Sequence, residues 1–217
     1  MNEAPRENSR LIVVLLAMTA TTGIVDAVSY LGLGHIFTGN MTGNIVVMGF
    51  RLCGVAGISL RRSIIALICF MLGAVAGGRM SRRLTPRHSR ISALVAEAAL
   101  LFIAAGISFK AGGPDGIVAV MALAMGLRTA VVRRLGVADL TTTVLTLTIT
   151  GLAADSGLAG DTNPRWRRRC AGILCMLSGA AAGAALLRFS LAVPLVVCGA
   201  IAMACALIRF EDQGEKA

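Results

Sequence analysis

The sequence predicts an all-α integral membrane protein: about six transmembrane helices plus two short re-entrant or broken segments, arranged as an inverted repeat. Three observations carry that expectation. Apolar runs recur along the 217 residues, most of them near the ~17–25 residues that a span needs. Charged residues make up 15% of the chain, against ~25% in soluble domains, and the mean hydropathy is +0.80. An internal similarity links the first half of the chain to the second.

Eight apolar segments follow in order. Segment 1, residues 11–33, contains one carboxylate, Asp26, and breaks at Gly32 and Gly34. Segment 2, residues 37–50, opens as Phe37-Thr-Gly-Asn-Met-Thr-Gly-Asn44 and is closed by Arg51. It is too short to span comfortably. Asn and Gly tolerate unusual backbone angles, which suits chain that lines a cavity at membrane depth. Segment 3, residues 63–78, carries Gly73-Ala-Val-Ala-Gly77, and segment 7, residues 170–187, carries Gly179-Ala-Ala-Ala-Gly183. Each is a GxxxG, which predicts close helix packing. Segment 4, residues 91–109, contains Glu97, and segment 5, residues 116–132, contains Arg128. Segment 6, residues 140–158, is rich in threonine from Thr141 to Thr150, and segment 8 covers residues 191–208.

An offset of 104 places Leu31-Gly32 on Leu135-Gly136, Thr38 on Thr142, Thr42 on Thr146 and Arg61 on Arg165. With two residues of slippage, Gly73 and Gly77 fall on Gly179 and Gly183. The order of features matters more than any one match, and it predicts two related halves, about 1–110 and 111–217, within a single polytopic domain, 1–217.

Loop charge orients the halves. Arg128 is counted with the loop after its segment, and the N-terminus is placed in the cytoplasm. Eight spans then give the cytoplasmic side 12 of the 21 Lys and Arg. If segments 2 and 6 re-enter instead, that side receives 16 of the 21. The second arrangement follows the positive-inside rule better. It leaves three spans per half, and an odd number inverts the second half. Both termini are then cytoplasmic.

The net charge of +10 admits nucleic acid as a partner, but its placement in short loops between apolar runs points to topology. The expected partners are the lipid bilayer and a small polar solute or ion, with no nucleic acid; a homo-oligomer is compatible with the sequence. Cys53, Cys69, Cys170, Cys175, Cys198 and Cys205 contain no CxxC and lie mostly in apolar runs, where thiols act as small hydrophobes. His35 and His88 show no ligand spacing. No metal, no cofactor and no enzyme centre is expected. Residues 1–10 are mixed in charge, and the run from Leu11 continues into Asp26, so it reads as a first mature helix and not as a cleavable leader.

Gly23-Ile-Val-Asp-Ala-Val-Ser-Tyr-Leu31 with Phe37–Asn44, and Met125–Val137 with Thr141-Thr-Thr143, resemble the YoaK-like family of bacterial inner-membrane proteins, a domain of unknown function (number 1275). The resemblance covers essentially the whole chain. It implies a multi-pass inner-membrane protein and supplies no activity. The chain departs from the family pattern at Arg128-Thr129, where relatives tend to carry an amide pair, and at Val144 and Leu147.

The candidate pathway residues are Asp26, Thr38, Asn40, Thr42, Asn44, Glu97, Arg128, Thr142 and Thr146. A charge deep in a membrane costs at least ~2.5–3.5 kcal/mol and needs an offset. Asp26 falls opposite Ala130 in the repeat, two residues from Arg128, which predicts an Asp26–Arg128 pair. Such a pair is structural, or part of a proton or ion relay. Glu97 has no evident partner in sequence and is expected to face a water-filled cavity. The Thr and Asn set offers hydroxyls and amides without charge, suited to a neutral polar solute or a partly dehydrated ion. A break-and-cap role for the same residues is the structural alternative. The function expected is a small permease or channel-like transporter with a midplane polar site; the alternative is a non-transporting lipid-binding or scaffold protein.

Overall fold

In this computed structural model, residues 9–109, 113–135, 145–160, 162–163 and 165–208 are described. They are mostly helical, with no strand among them. Helix α1 (Ser9–Ala27) runs into a π-helical turn, Val28–Gly32. Then come α2 (Met41–Leu52), α3 (Leu60–Arg83), α4 (Pro86–Phe109), α5 (Pro114–Leu135), α6 (Leu145–Ala154), α7 (Trp166–Leu186) and α8 (Ala192–Leu207). The eight apolar segments thus become eight helices. Several run three to five residues beyond their apolar core. Arg82 and Arg83 close α3, and Arg133 and Arg134 close α5, where Arg is a good helix former and its charge favours a helix C-terminus.

Five of the helices are long and apolar enough to cross a bilayer: α1 with its π turn, α3, α4, α5 and α7. The sixth expected span, α8, has 16 residues, short of the ~20 usual for a crossing. Helices α2 and α6, with 12 and 10 residues, are shorter still. The outer faces of α3 and α7 are rows of exposed apolar side chains, Ile64, Ile68, Leu72 and Val75 on one, Leu174 and Leu177 on the other. Such rows fit lipid and not water.

Small residues set the packing. Helix α7 lies on α1, and α3 lies on α5, at backbone contact. A Cβ on Gly179 would run into the carbonyl of Ala20, and one on Gly23 into that of Met176. In the other pair, Gly73 and Gly77 abut the carbonyls of Leu123 and Leu127, and Gly126 abuts that of Phe70. Residue numbers rise together along each pair, so both pairs are parallel. Both predicted GxxxG motifs therefore pack as expected.

Direction follows from two more contacts. Leu15 packs on Val132, and Thr22 meets Arg128, so α1 and α5 run antiparallel. These are the helices that the sequence offset equates, which is the geometry of an inverted repeat. Helix α8 runs back against α4: Phe102 sits over Gly199, and Leu94 shares a cluster with Cys205.

Since α3 is parallel to α5, and α5 is antiparallel to α1, α3 runs opposite to α1. The connection from α1 to α3 therefore starts and finishes at the same end of the bundle. Ser59 N–H donates to the Gly34 carbonyl at 3.4 Å, and Arg62 donates to that of Leu33 at 3.2 Å. Between these points the chain descends until Gly39 lies against Asp26. Asp26 is seven residues below Leu33, ~10 Å at 1.5 Å per residue. Helix α2 then climbs back. This is the expected re-entrant segment, with Thr38-Gly39-Asn40 at its turning point.

Candidate functional site

The re-entrant turn is built by its asparagines. Asn40 caps α2, its side-chain oxygen accepting from the Gly43 N–H at 3.1 Å, as an N-cap does. Asn44 is fully buried; its amide donates to the Ser63 carbonyl of α3 at 3.1 Å and its oxygen accepts from the Phe37 N–H at 3.4 Å. One side chain thus ties both limbs of the loop to α3. Asn44 thus acts as a strut: its amide bonds backbone groups that the loop would otherwise leave unpaired, and it is not among the residues that line the cavity beside the turn.

A cavity of about 760 Å³ opens beside this turn. Helix α1 supplies Thr22, Asp26 and Tyr30, the loop supplies Phe37, Gly39, Asn40 and Thr42, α6 supplies Thr146 and Ile149, and α7 supplies Met176. Of the sequence-predicted residues, Asp26, Asn40, Thr42 and Thr146 come together here. Thr42 and Thr146 belong to different halves. Thr38 is buried behind the wall, its hydroxyl without a hydrogen-bond partner. Thr142 lies outside the described residues.

Thr22, Tyr30 and Phe37 were not among the expected site residues. A signal for the first two exists in the sequence. Thr22, Asp26 and Tyr30 recur every four residues and so share one helix face. The π turn begins two residues after Asp26, and such turns occur frequently at functional sites. The Tyr30 and Phe37 rings stack with centroids 5.2 Å apart.

The deep charges are arranged differently from expectation. Arg128 pairs with Glu97, Nη1 to Oε1 at 2.7 Å, with both side chains buried. Its guanidinium also donates to Thr21 at 3.1 Å and to Thr22 at 2.6 Å. The predicted Asp26–Arg128 ion pair is replaced by this one, and Glu97 does not face a water-filled cavity. The reason is tertiary: α4 lies against α5 and brings Glu97 to Arg128, whereas Asp26 stands one turn beyond Thr22 and faces the re-entrant loop. Thr22 links the two places. Its hydroxyl accepts from Arg128 and donates to the Met18 carbonyl.

Asp26 is left with little. It is 7% exposed, its carboxylate accepts a hydrogen bond from the Gly39 N–H, a Cβ on Gly39 would lie 3.2 Å from Oδ1, and Oδ1 has no hydrogen-bond partner. Groups of three or more His, Cys, Asp or Glu that could hold a metal are absent among the described residues.

Residues 14–208 match the model of a family described as "Protein of unknown function (DUF1275)". The chain is 39% identical over 148 residues to the UPF0700 transmembrane protein YoaK of Bacillus subtilis (strain 168), an alignment covering 65% of this chain and 65% of that protein. The match thus spans just under two thirds of the relative's length. No solved structure matches. With the family model covering nearly the whole described bundle, the chain belongs to the DUF1275 family and is a transmembrane protein of that family.

Proposed function

We propose that the protein is a small permease, in which a largely apolar cavity with a few polar groups, between the re-entrant loop and α6, passes a small solute. The observation that carries this reading is the make-up of that cavity: helix α1 and the re-entrant turn from one half, α6 and α7 from the other. Inverted halves that meet around broken segments are the common plan of secondary transporters, because rocking one half against the other exposes the site to either side in turn. The Arg-rich ends of α3, α5 and α7 lie at one end of the bundle, and by the positive-inside rule this supports a cytoplasmic side for that end in a bacterial inner membrane. Among the described lining residues no nucleophile is paired with a base, which supports transport over an enzyme reading.

The test is solute permeation into proteoliposomes, followed by light scattering after osmotic challenge with glycerol, urea or methylammonium chloride. Protein-containing vesicles are expected to admit at least one of these faster than empty vesicles. Thr42→Val with Thr146→Val should remove the excess, since neither hydroxyl is tied to another group among the described residues and the swap keeps shape. If no probe enters faster than into empty vesicles, the permease reading falls and a non-transporting, lipid-binding role replaces it.

A further inference from the structure

The Asp26 carboxylate presents a problem that the protein alone does not solve. It is more than nine-tenths buried, Oδ1 has no hydrogen-bond partner, and the carboxylate accepts one backbone hydrogen bond, from the Gly39 N–H, with no ion pair among the described residues. The nearby cation does not balance it. Arg128 is already paired with Glu97 and reaches only as far as Thr22, so that group is neutral as a whole. A buried carboxylate is strongly disfavoured unless something pairs with it.

The surroundings say what would pair with it. Asp26 stands on the cavity wall between Thr22 and Tyr30, and the stacked Tyr30 and Phe37 rings line the same space. Aromatic faces attract cations, quaternary and primary ammonium groups among them. The rest of the wall is mostly aliphatic, with Val46, Val47 and Ile149. A bare metal ion would want a shell of oxygens; an organic cation matches one carboxylate, two rings and an apolar wall. The inverted half does not repeat the feature. The equivalences between Gly23 and Gly126, and between Ala20 and Leu123, set Asp26 against Thr129. The charge is therefore a property of this one site and not of the repeat.

We propose that the cavity binds a small organic ammonium ion, with Asp26 as its counter-ion and the Tyr30–Phe37 pair against its apolar part. This rests on the permease reading for its purpose, though not for its test. Full-length protein in detergent would be followed by thermal unfolding at constant ionic strength with four probes: choline, its uncharged carbon isostere 3,3-dimethylbutan-1-ol, NaCl and KCl. Choline is expected to raise Tm saturably, and the isostere is not. Asp26→Asn keeps shape and removes the charge, and should weaken the apparent choline affinity at least tenfold; Asp26→Glu should retain part of it, and Tyr30→Leu should lose part of it. Unligated Asp26→Asn should unfold no earlier than the parent, since the amide keeps an oxygen for the Gly39 N–H and the carboxylate has no ion-pair partner to lose among the described residues. An equal shift by the isostere, a choline shift that survives Asp26→Asn, or saturation by Na⁺ or K⁺ alone would overturn the proposal. If choline fails while glycerol or urea permeation still depends on Thr42 and Thr146, the cation falls and the permease stands; if both fail, both readings fall.

Discussion

Arg128 is the residue on which the interior depends. Its guanidinium makes one ion pair and two hydroxyl contacts, joining α1, α4 and α5. Removing one member of a buried pair leaves the other charge uncompensated, at ~3–5 kcal/mol. Arg128→Gln and Glu97→Gln should therefore each lower unfolding stability by about that amount, and the double variant should recover a good part. Asp26→Asn added to Arg128→Gln should give no such recovery. Chemical or thermal unfolding of the four proteins in one detergent measures this; rescue by Asp26→Asn in place of Glu97→Gln would contradict the pairing. Sequence could show that three charges lie deep, but not who pairs with whom. The guess of Asp26 came from a repeat offset of 104, whereas the packing gives 103 in the first helix of each half and 106 in the third. Slippage of that size moves a side chain by about a hundred degrees around a helix.

Helices here are held by what they lack. At Gly23, Gly73, Gly126 and Gly179 the opposing backbone leaves no space for a side chain. In lipid, apolar area gives no net drive for association, so close backbone approach does the work. Gly179→Leu or Gly73→Leu should separate α1 from α7 or α3 from α5 and abolish the monodisperse folded peak in size-exclusion chromatography. Gly49, in α2, has nothing within 4 Å of where its Cβ would stand. Gly49→Ala should elute unchanged and gain ~0.5–1 kcal/mol of stability from helix propensity. Equal tolerance at the three positions would contradict the packing. The polar clamps at the bundle ends are not copies of one another. Asp115 holds Arg61 and Arg62 at 3.0 and 3.1 Å, while Arg169 bonds Asp155, Asn163 and the Gly151 carbonyl.

The loop after α2 and the loop after α6 should face opposite sides of the membrane, because the halves are inverted. Asn163, an equivalent of Ser59 in sequence, is buried and donates to the Leu152 carbonyl at 2.9 Å, so a cysteine there would report disruption. Ala56 and Leu158 are exposed and suit the purpose. In a background without native cysteines, Ala56→Cys should react with an impermeant thiol reagent on intact cells, and Leu158→Cys only after lysis. Labelling of both or of neither on intact cells would remove the inversion.

Apolar runs, GxxxG spacing and the placement of arginine were enough to predict the class, the eight segments and the close-packing faces of α3 and α7, and they favoured re-entry of segment 2. All are local or nearly local: hydropathy is read along one helix, and Gly-x-x-x-Gly marks its face whatever the partner. Contacts between segments far apart in sequence were decided only in three dimensions. The Glu97–Arg128 pair spans 31 residues, and the contact of Arg128 with Thr22 spans 106. The cavity joins Asp26 to Thr146, and the Asn44 strut depends on where α3 returns. One turn of phase decides whether such groups meet, and only packing sets that phase.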